Sequence, residues 1–133
     1  MAEVEVDRAT GAVQVTRATA ATDAGLIINP DGVINQIEGG IIQSASWTLR
    51  EQVRFDKKGI TSRDWDSYPI LKMTEVPRVQ VELINRPGER SLGIGEGSQG
   101  PTVAAIANAI AHATGKRLRD LPFTPDRVKA ALG

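Results

Sequence analysis

The chain has 133 residues, with 16 Lys and Arg against 16 Asp and Glu, and no cysteine. Such a length allows one domain that buries roughly two-thirds of its unfolded surface. The balanced charge leaves no electrostatic footprint for nucleic acid or an anionic membrane, and the missing thiols exclude a disulfide framework, a thiolate metal site and a cysteine-held iron–sulfur cluster in these residues.

The N-terminal MAEVEVDRAT carries no basic-then-apolar targeting pattern, and no apolar run approaches a membrane span. A cytoplasmic protein is expected, with a periplasmic location open through a partner. Val4 to Asp7 and Val13 to Arg17 alternate apolar and polar around a glycine turn and predict a β-hairpin. "NPDGV" then offers Asn29 and Asp31 as helix caps and Pro30 for a first turn. Ile34, Ile37, Ile41, Ala45 and Leu49 recur at helical spacing, so a long first helix is predicted to about Val53.

Asp64 to Pro77 is proline-punctuated and reads as an extended segment. Val79, Val81 and Leu83 alternate with Gln80 and Glu82 and predict a further strand, followed by an "NRPGERS" turn. A second helix is predicted over Val103 to Thr114, started near Pro101 and stopped by Gly115. Being apolar on every side, it is expected to be buried. Thr124 and Pro125 open a short C-terminal helix. With no internal repeat or linker, residues 1–133 read as one α+β domain: an N-terminal hairpin, two main helices packed on a small mixed sheet, and a short last helix.

Between the third strand and second helix lies "GIGEGSQGPT", in which Gly95-x-Gly97-x-x-Gly100 resembles a phosphate-cradling fingerprint. The context argues against a dinucleotide, because Asp120, at the right distance for the ribose acid, sits in a proline-containing stretch rather than at a strand end. Two other readings stand. The glycines form a tight turn with Glu96 solvated near a helix N-terminus, or they let a ligand approach the backbone while Glu96 serves as a base toward a non-anionic group.

The first helix carries a second signal. Gln36, Gly40, Gln43 and Trp47 share a side of it, and Gly39 and Gly40 each cost about 1 kcal/mol against alanine in a helix interior. Either another element packs into that gap, or a ligand lies there with glutamine amides at its polar edge. His112, Trp47 and Trp65 read as packing residues, and Asp64 and Asp66 as loop solubility rather than a metal pair.

Taken together, "DAGLIINPDGVINQIEGGIIQSASWTL", "SYPILKMTEVP" and "GIGEGSQGPTVAAIANAI" resemble the C-terminal part of the molybdopterin-binding large subunit of the xanthine oxidase and aldehyde oxidase family of molybdenum hydroxylases. The look is nearest the isoquinoline 1-oxidoreductase type of bacterial subunit, and the similarity runs from about Val4 to Leu132. The resemblance implies a molybdenum cofactor held by a pterin, simple or in its cytosine dinucleotide form, and hydroxylation of an aldehyde or N-heteroaromatic carbon with oxygen from water.

It further implies Glu96 as general base, in a water-poor pocket that raises its affinity for a proton. Gln36 is implied as a hydrogen-bond partner of the pterin, Gly97 and Ser98 as loop contacts to the cofactor, and Gln43 as a further contact. No metal ligand falls on this chain, and the iron–sulfur clusters are implied on a partner subunit or domain. The family's subunit is several times longer. The expected state is therefore a fragment, excised domain or split portion that works with the rest of the subunit and an iron–sulfur subunit, and has no turnover alone. A non-catalytic interaction module that keeps the fold is the alternative, and self-association of the isolated chain is expected under both.

Overall fold

The computed structural model describes all 133 residues. The expected hairpin forms from β1 (Ala2–Val6) and β2 (Val13–Asp23) in antiparallel register, Val6 opposite Val13. Asp7 closes its turn by accepting hydrogen bonds from the amides of Ala9 and Thr10 at 2.8 and 3.2 Å. Strand β2 runs on to Asp23 rather than stopping at Arg17, because its second half finds another partner.

That partner is β5 (Arg78–Ile84), which pairs with β2 in parallel from Arg17↔Arg78 to Asp23↔Ile84. The sheet order is β1-β2-β5. A parallel neighbour needs a crossover, and the crossover carries α1 (Pro30–Leu49). Asn29 caps α1 as expected, its Oδ1 accepting from the Gly32 amide at 3.0 Å, with Pro30 in the first turn.

The helix stops at Leu49, short of the Val53 that its composition allows. The carbonyl of Thr48, which a longer helix would pair with the amide of residue 52, instead accepts the amide of Phe123 at 2.7 Å. Arg50 leaves the helix with φ −134° and pairs with Glu75. Beyond it the extended segment carries the small hairpin β3 (Phe55–Asp56) and β4 (Gly59–Ile60), then a 3-10 turn at Met73–Glu75.

The second long helix, α2 (Gln99–Thr114), begins before the predicted Val103 and ends at Gly115 in the left-handed conformation, φ 74°. It lies against α1 and β1, while α1 lies against β5 and β2. The expectation of a helix buried on all sides is not met. Only Thr102, Ile106 and Ile110 are buried, at i, i+4 spacing on the face toward the core; the other faces, mostly alanine, are partly or fully exposed. His112 is exposed, not a core histidine, and Trp65 stands 73 % exposed while Trp47 is half-buried.

The core forms where α1 and α2 meet the sheet, from Val15, Ala45, Leu49, Ile106 and Ile110, closed at one end by Phe123 and by Val128 of α3 (Pro125–Leu132). A second cluster, Ala18, Ile37 and Ile41, lies nearer the start of α1. The architecture is the mixed α+β arrangement read from the sequence. No helix is long and apolar enough to cross a membrane.

Candidate cofactor-binding site

The end of β5 and the start of α2 are joined by a strap and a loop. The strap, residues 85–92, is tied to the segment after β2. The Arg86 amide donates to Gly25 O at 2.9 Å, the Leu92 amide to Ala24 O at 3.0 Å, and the Ile27 amide to Asn85 Oδ1 at 3.2 Å. Gly25 has φ 66°, and a Cβ there would fall 2.1 Å from the Arg90 carbonyl oxygen, so only glycine fits.

Asp23 completes the tie. It accepts from the Gly25 amide at 2.9 Å and from Arg86 Nη1 at 3.0 Å, and these partners, the amide first, hold its carboxyl below the usual carboxylate range. Sequence reasoning missed Asp23, Gly25, Asn85 and Arg86. Only the Asp-Ala-Gly turn hinted at them, because their partners lie some sixty residues away, as between Asp23 and Arg86, |i−j| = 63.

The strap delivers the chain to the turn at residues 95–98, which runs directly into α2. Ser98 is buried, 6 % exposed, and its Oγ donates to the Ile37 carbonyl of α1 at 3.1 Å. This hydroxyl sits over Gly40. A Cβ at Gly40 would lie 2.2 Å from Ser98 Oγ, whereas one at Gly39 would meet nothing within 4 Å. The pair of glycines therefore has two explanations: Gly40 admits the loop, and Gly39 leaves bare helix backbone facing outward.

Next to Ser98, Gln99 Nε2 donates to Gln43 Oε1 at 3.1 Å. The structure thus brings Gly97, Ser98 and Gln43 together at the contact between loop and α1. Gln36 lies one residue before Ile37 on the same helix, exposed, with no hydrogen bond within the chain. Glu96 is exposed at the tip of the turn with no side-chain hydrogen bond. The water-poor pocket expected around it is not formed by these residues. A cleft of about 330 Å³ behind the loop, lined by Ala18, Ile37, Ile41, Ile94, Gly97 and Ser98 among others, does not include Glu96.

The donors left over define what the loop can hold. Around it only the Gly97 and Gln99 amides find protein acceptors, Ile94 O and Glu96 O, while those of Gly95, Glu96 and Gly100 find none. Added Cβ atoms at Gly95 and Gly100 would meet nothing within 4 Å. Unpaired amides beside open backbone, with the free Gln36 carboxamide on the adjoining helix, suit an acceptor-rich group held close to the main chain. These residues fit a pterin cofactor and offer no ligand of their own to its metal.

A family model described as "Molybdopterin cofactor-binding domain" matches residues 1–77. A nicotinate dehydrogenase subunit of Pseudomonas putida is 50 % identical over 133 residues, 100 % of this chain and 11 % of its own length. The beta chain of isoquinoline 1-oxidoreductase from Brevundimonas diminuta is 36 % identical over 94 % of this chain and 16 % of its own, so the nicotinate enzyme is the more similar of the two. Aldehyde oxidoreductase from Desulfovibrio gigas superposes with a TM-score of 0.86 at 33 % identity, over 98 % of this chain and 15 % of that one.

The fold matches that of the solved aldehyde oxidoreductase over this stretch, and the matched sequence is that of a molybdopterin cofactor-binding domain. The chain belongs to the molybdopterin cofactor-binding domain family. It spans 11 % and 16 % of the length of the first two curated relatives.

Proposed function

We propose that these residues form one wall of the molybdopterin site in a molybdenum hydroxylase, as the C-terminal portion of its large subunit, and that Glu96 is the general base. The observation that carries this reading is the turn at 95–98, which presents a solvent-facing carboxylate between unpaired backbone amides and is clamped to the helix that carries Gln36. When bound, the molybdenum–pterin group supplies the two-electron redox chemistry.

The chain's own residues do the rest of the work assigned here. The amides of Gly95 and Gly100 and the carboxamide of Gln36 hold and orient the cofactor's acceptors. The Glu96 carboxylate accepts a proton as oxygen from water is transferred to carbon; the balance, R–H and water to R–OH, leaves two protons and two electrons. The electrons leave through iron–sulfur clusters of a partner subunit or domain. The 50 % identical relative is a nicotinate dehydrogenase subunit, so an N-heteroaromatic acid such as nicotinate is the first substrate proposed, with isoquinoline and aromatic aldehydes next.

A carboxylate gains effectiveness as a base when water is excluded around it. Since Glu96 is exposed here, the covering surface must come from the remainder of the subunit, and the chain alone is proposed to have no turnover. The test is Glu96→Gln in the assembled enzyme. We expect kcat to fall at least about 100-fold, the scale of a lost general base, with molybdenum content unchanged. Retention of most of the activity would remove Glu96 from the base role.

A further inference from the structure

The loop that carries Glu96 and the helix that carries Gln36 meet through one buried contact. We propose that Ser98 and Gly40 form a latch that registers the base against the cofactor-holding turn of α1, so that Ser98 is a positioning residue and its side chain does not touch the cofactor. The inference rests on the proposed role of the site, but its central measurement does not depend on turnover.

Three observations carry it. First, a serine directly before a helix ordinarily caps it with its hydroxyl, yet Ser98 makes no cap bond and lies in the helical region, φ −90°, ψ −15°. Its Oγ reaches instead to Ile37 O on α1. Secondly, the fit is steric as well as polar, because Gly40 is buried and a Cβ there would stand 2.2 Å from that Oγ. A methyl at position 40 and the hydroxyl at position 98 cannot both keep their places.

Thirdly, both sides of the latch are braced. The Ser98 carbonyl accepts Thr102 Oγ1 at 2.7 Å and the Thr102 amide at 3.1 Å, and Gln99 holds Gln43 one turn further along α1. Ile37 is the neighbour of Gln36, and Ser98 is two residues from Glu96. The buried Ser98 hydrogen bond, backed by the exposed Gln99–Gln43 pair, thus couples the two residues assigned to base and cofactor. Displacement of about 1 Å between reacting groups can cost about 100-fold in rate, so the coupling matters for rate more than for stability.

The experiment is a double-mutant cycle in the full-length enzyme, read by amide hydrogen exchange at the hydrogen-bonded Gly97 and Gln99 amides and by kinetics. Ser98→Ala is expected to speed exchange in that loop about tenfold, the worth of one lost neutral hydrogen bond. Gly40→Ala is expected to speed it further. The Gly40→Ala, Ser98→Ala pair should return to the level of Ser98→Ala, because the remaining neighbours of the new methyl, Gln99 Cγ and the residue 98 Cβ, lie at an ordinary 3.6 Å.

With nicotinate or benzaldehyde, whichever the enzyme turns over, Ser98→Ala is expected to lower kcat about 10- to 100-fold at unchanged KM and molybdenum content. Unchanged loop exchange in Ser98→Ala, or a double variant no better than Gly40→Ala, would overturn the latch. Loss of molybdenum with unchanged kcat per molybdenum would also overturn it, by making Ser98 a cofactor contact. If Glu96→Gln retains activity while the exchange cycle behaves as expected, the base reading fails and the latch stands.

Discussion

Gln36 is exposed on the first turns of α1, and its carboxamide has no partner within the chain. A long polar side chain left free beside bare backbone at Gly39 has nothing structural to lose. Gln36→Ala should therefore leave the thermal midpoint within about 3 °C, since exposed substitutions of this kind fall within about ±0.5 kcal/mol, yet reduce pterin retained through gel filtration. Equal melting and equal pterin content would make Gln36 a surface residue. Glu96 and Gln36 were singled out in the sequence as a carboxylate among glycines and a glutamine beside paired helix glycines, and both stand exposed with no side-chain hydrogen bond within the chain. Ser98 was only half legible: its place in the loop was read, but its hydroxyl's partner is Ile37, |i−j| = 61, and no local pattern announces that.

The strap shows the same limit for whole elements. Its tie through Asp23 is predicted to be acid-labile. The folded-state pKa of Asp23 is lowered, by the Gly25 amide first and then Arg86. Its contribution is thus fully present above the ordinary carboxylate value and is lost as pH falls through the depressed one. The Gly25 amide shift and the proteolytic resistance of residues 85–92 should change together as pH falls below the ordinary carboxylate value of about 4. Asp23→Asn should remove the pH dependence of that shift, and an unchanged titration in the variant would show that Asp23 is not its source.

Some starts were readable, because caps and prolines act locally: the Asn29 side chain caps ahead of Pro30, and at Thr124-Pro125, where Thr124 makes no cap bond, the proline alone marks the turn. Helix α2 instead starts at Gln99, ahead of Pro101. Ends were not always readable either. Glu51 and Gln52 would continue α1 readily, but the distant Phe123 amide takes the Thr48 carbonyl and Arg50 turns away to Glu75. Likewise, no period in Ala20 to Asp23 foretold that this run would be the inner strand of a sheet, since its partner is β5.

The molecule as a whole presents several large apolar side chains to solvent. Phe55, Trp65 and Met73, on the segment between α1 and β5, are 78 %, 73 % and 88 % exposed, and Ile60 pairs across β3–β4 with Phe55. Surface of this kind is ordinarily covered by other protein. The isolated 133-residue chain should therefore self-associate with rising concentration in sedimentation velocity, and Phe55→Ser with Trp65→Ser should shift it toward monomer. A wild-type chain that stays monomeric at several hundred micromolar would contradict this.

The parallel pairing of β2 with β5 also sets an order of events during synthesis. Ala18 meets Val79 only after the crossover, α1 and the apolar segment have all left the ribosome. Closing so long a loop must precede any gain from the pairing. Until then the outer half of β2 is an unpaired edge, and α1 has only part of the sheet to rest on. The stretch matched by the family model, residues 1–77, stops one residue before β5 begins at Arg78. A piece cut there would recognisably belong to the family and yet lack the strand that completes its sheet.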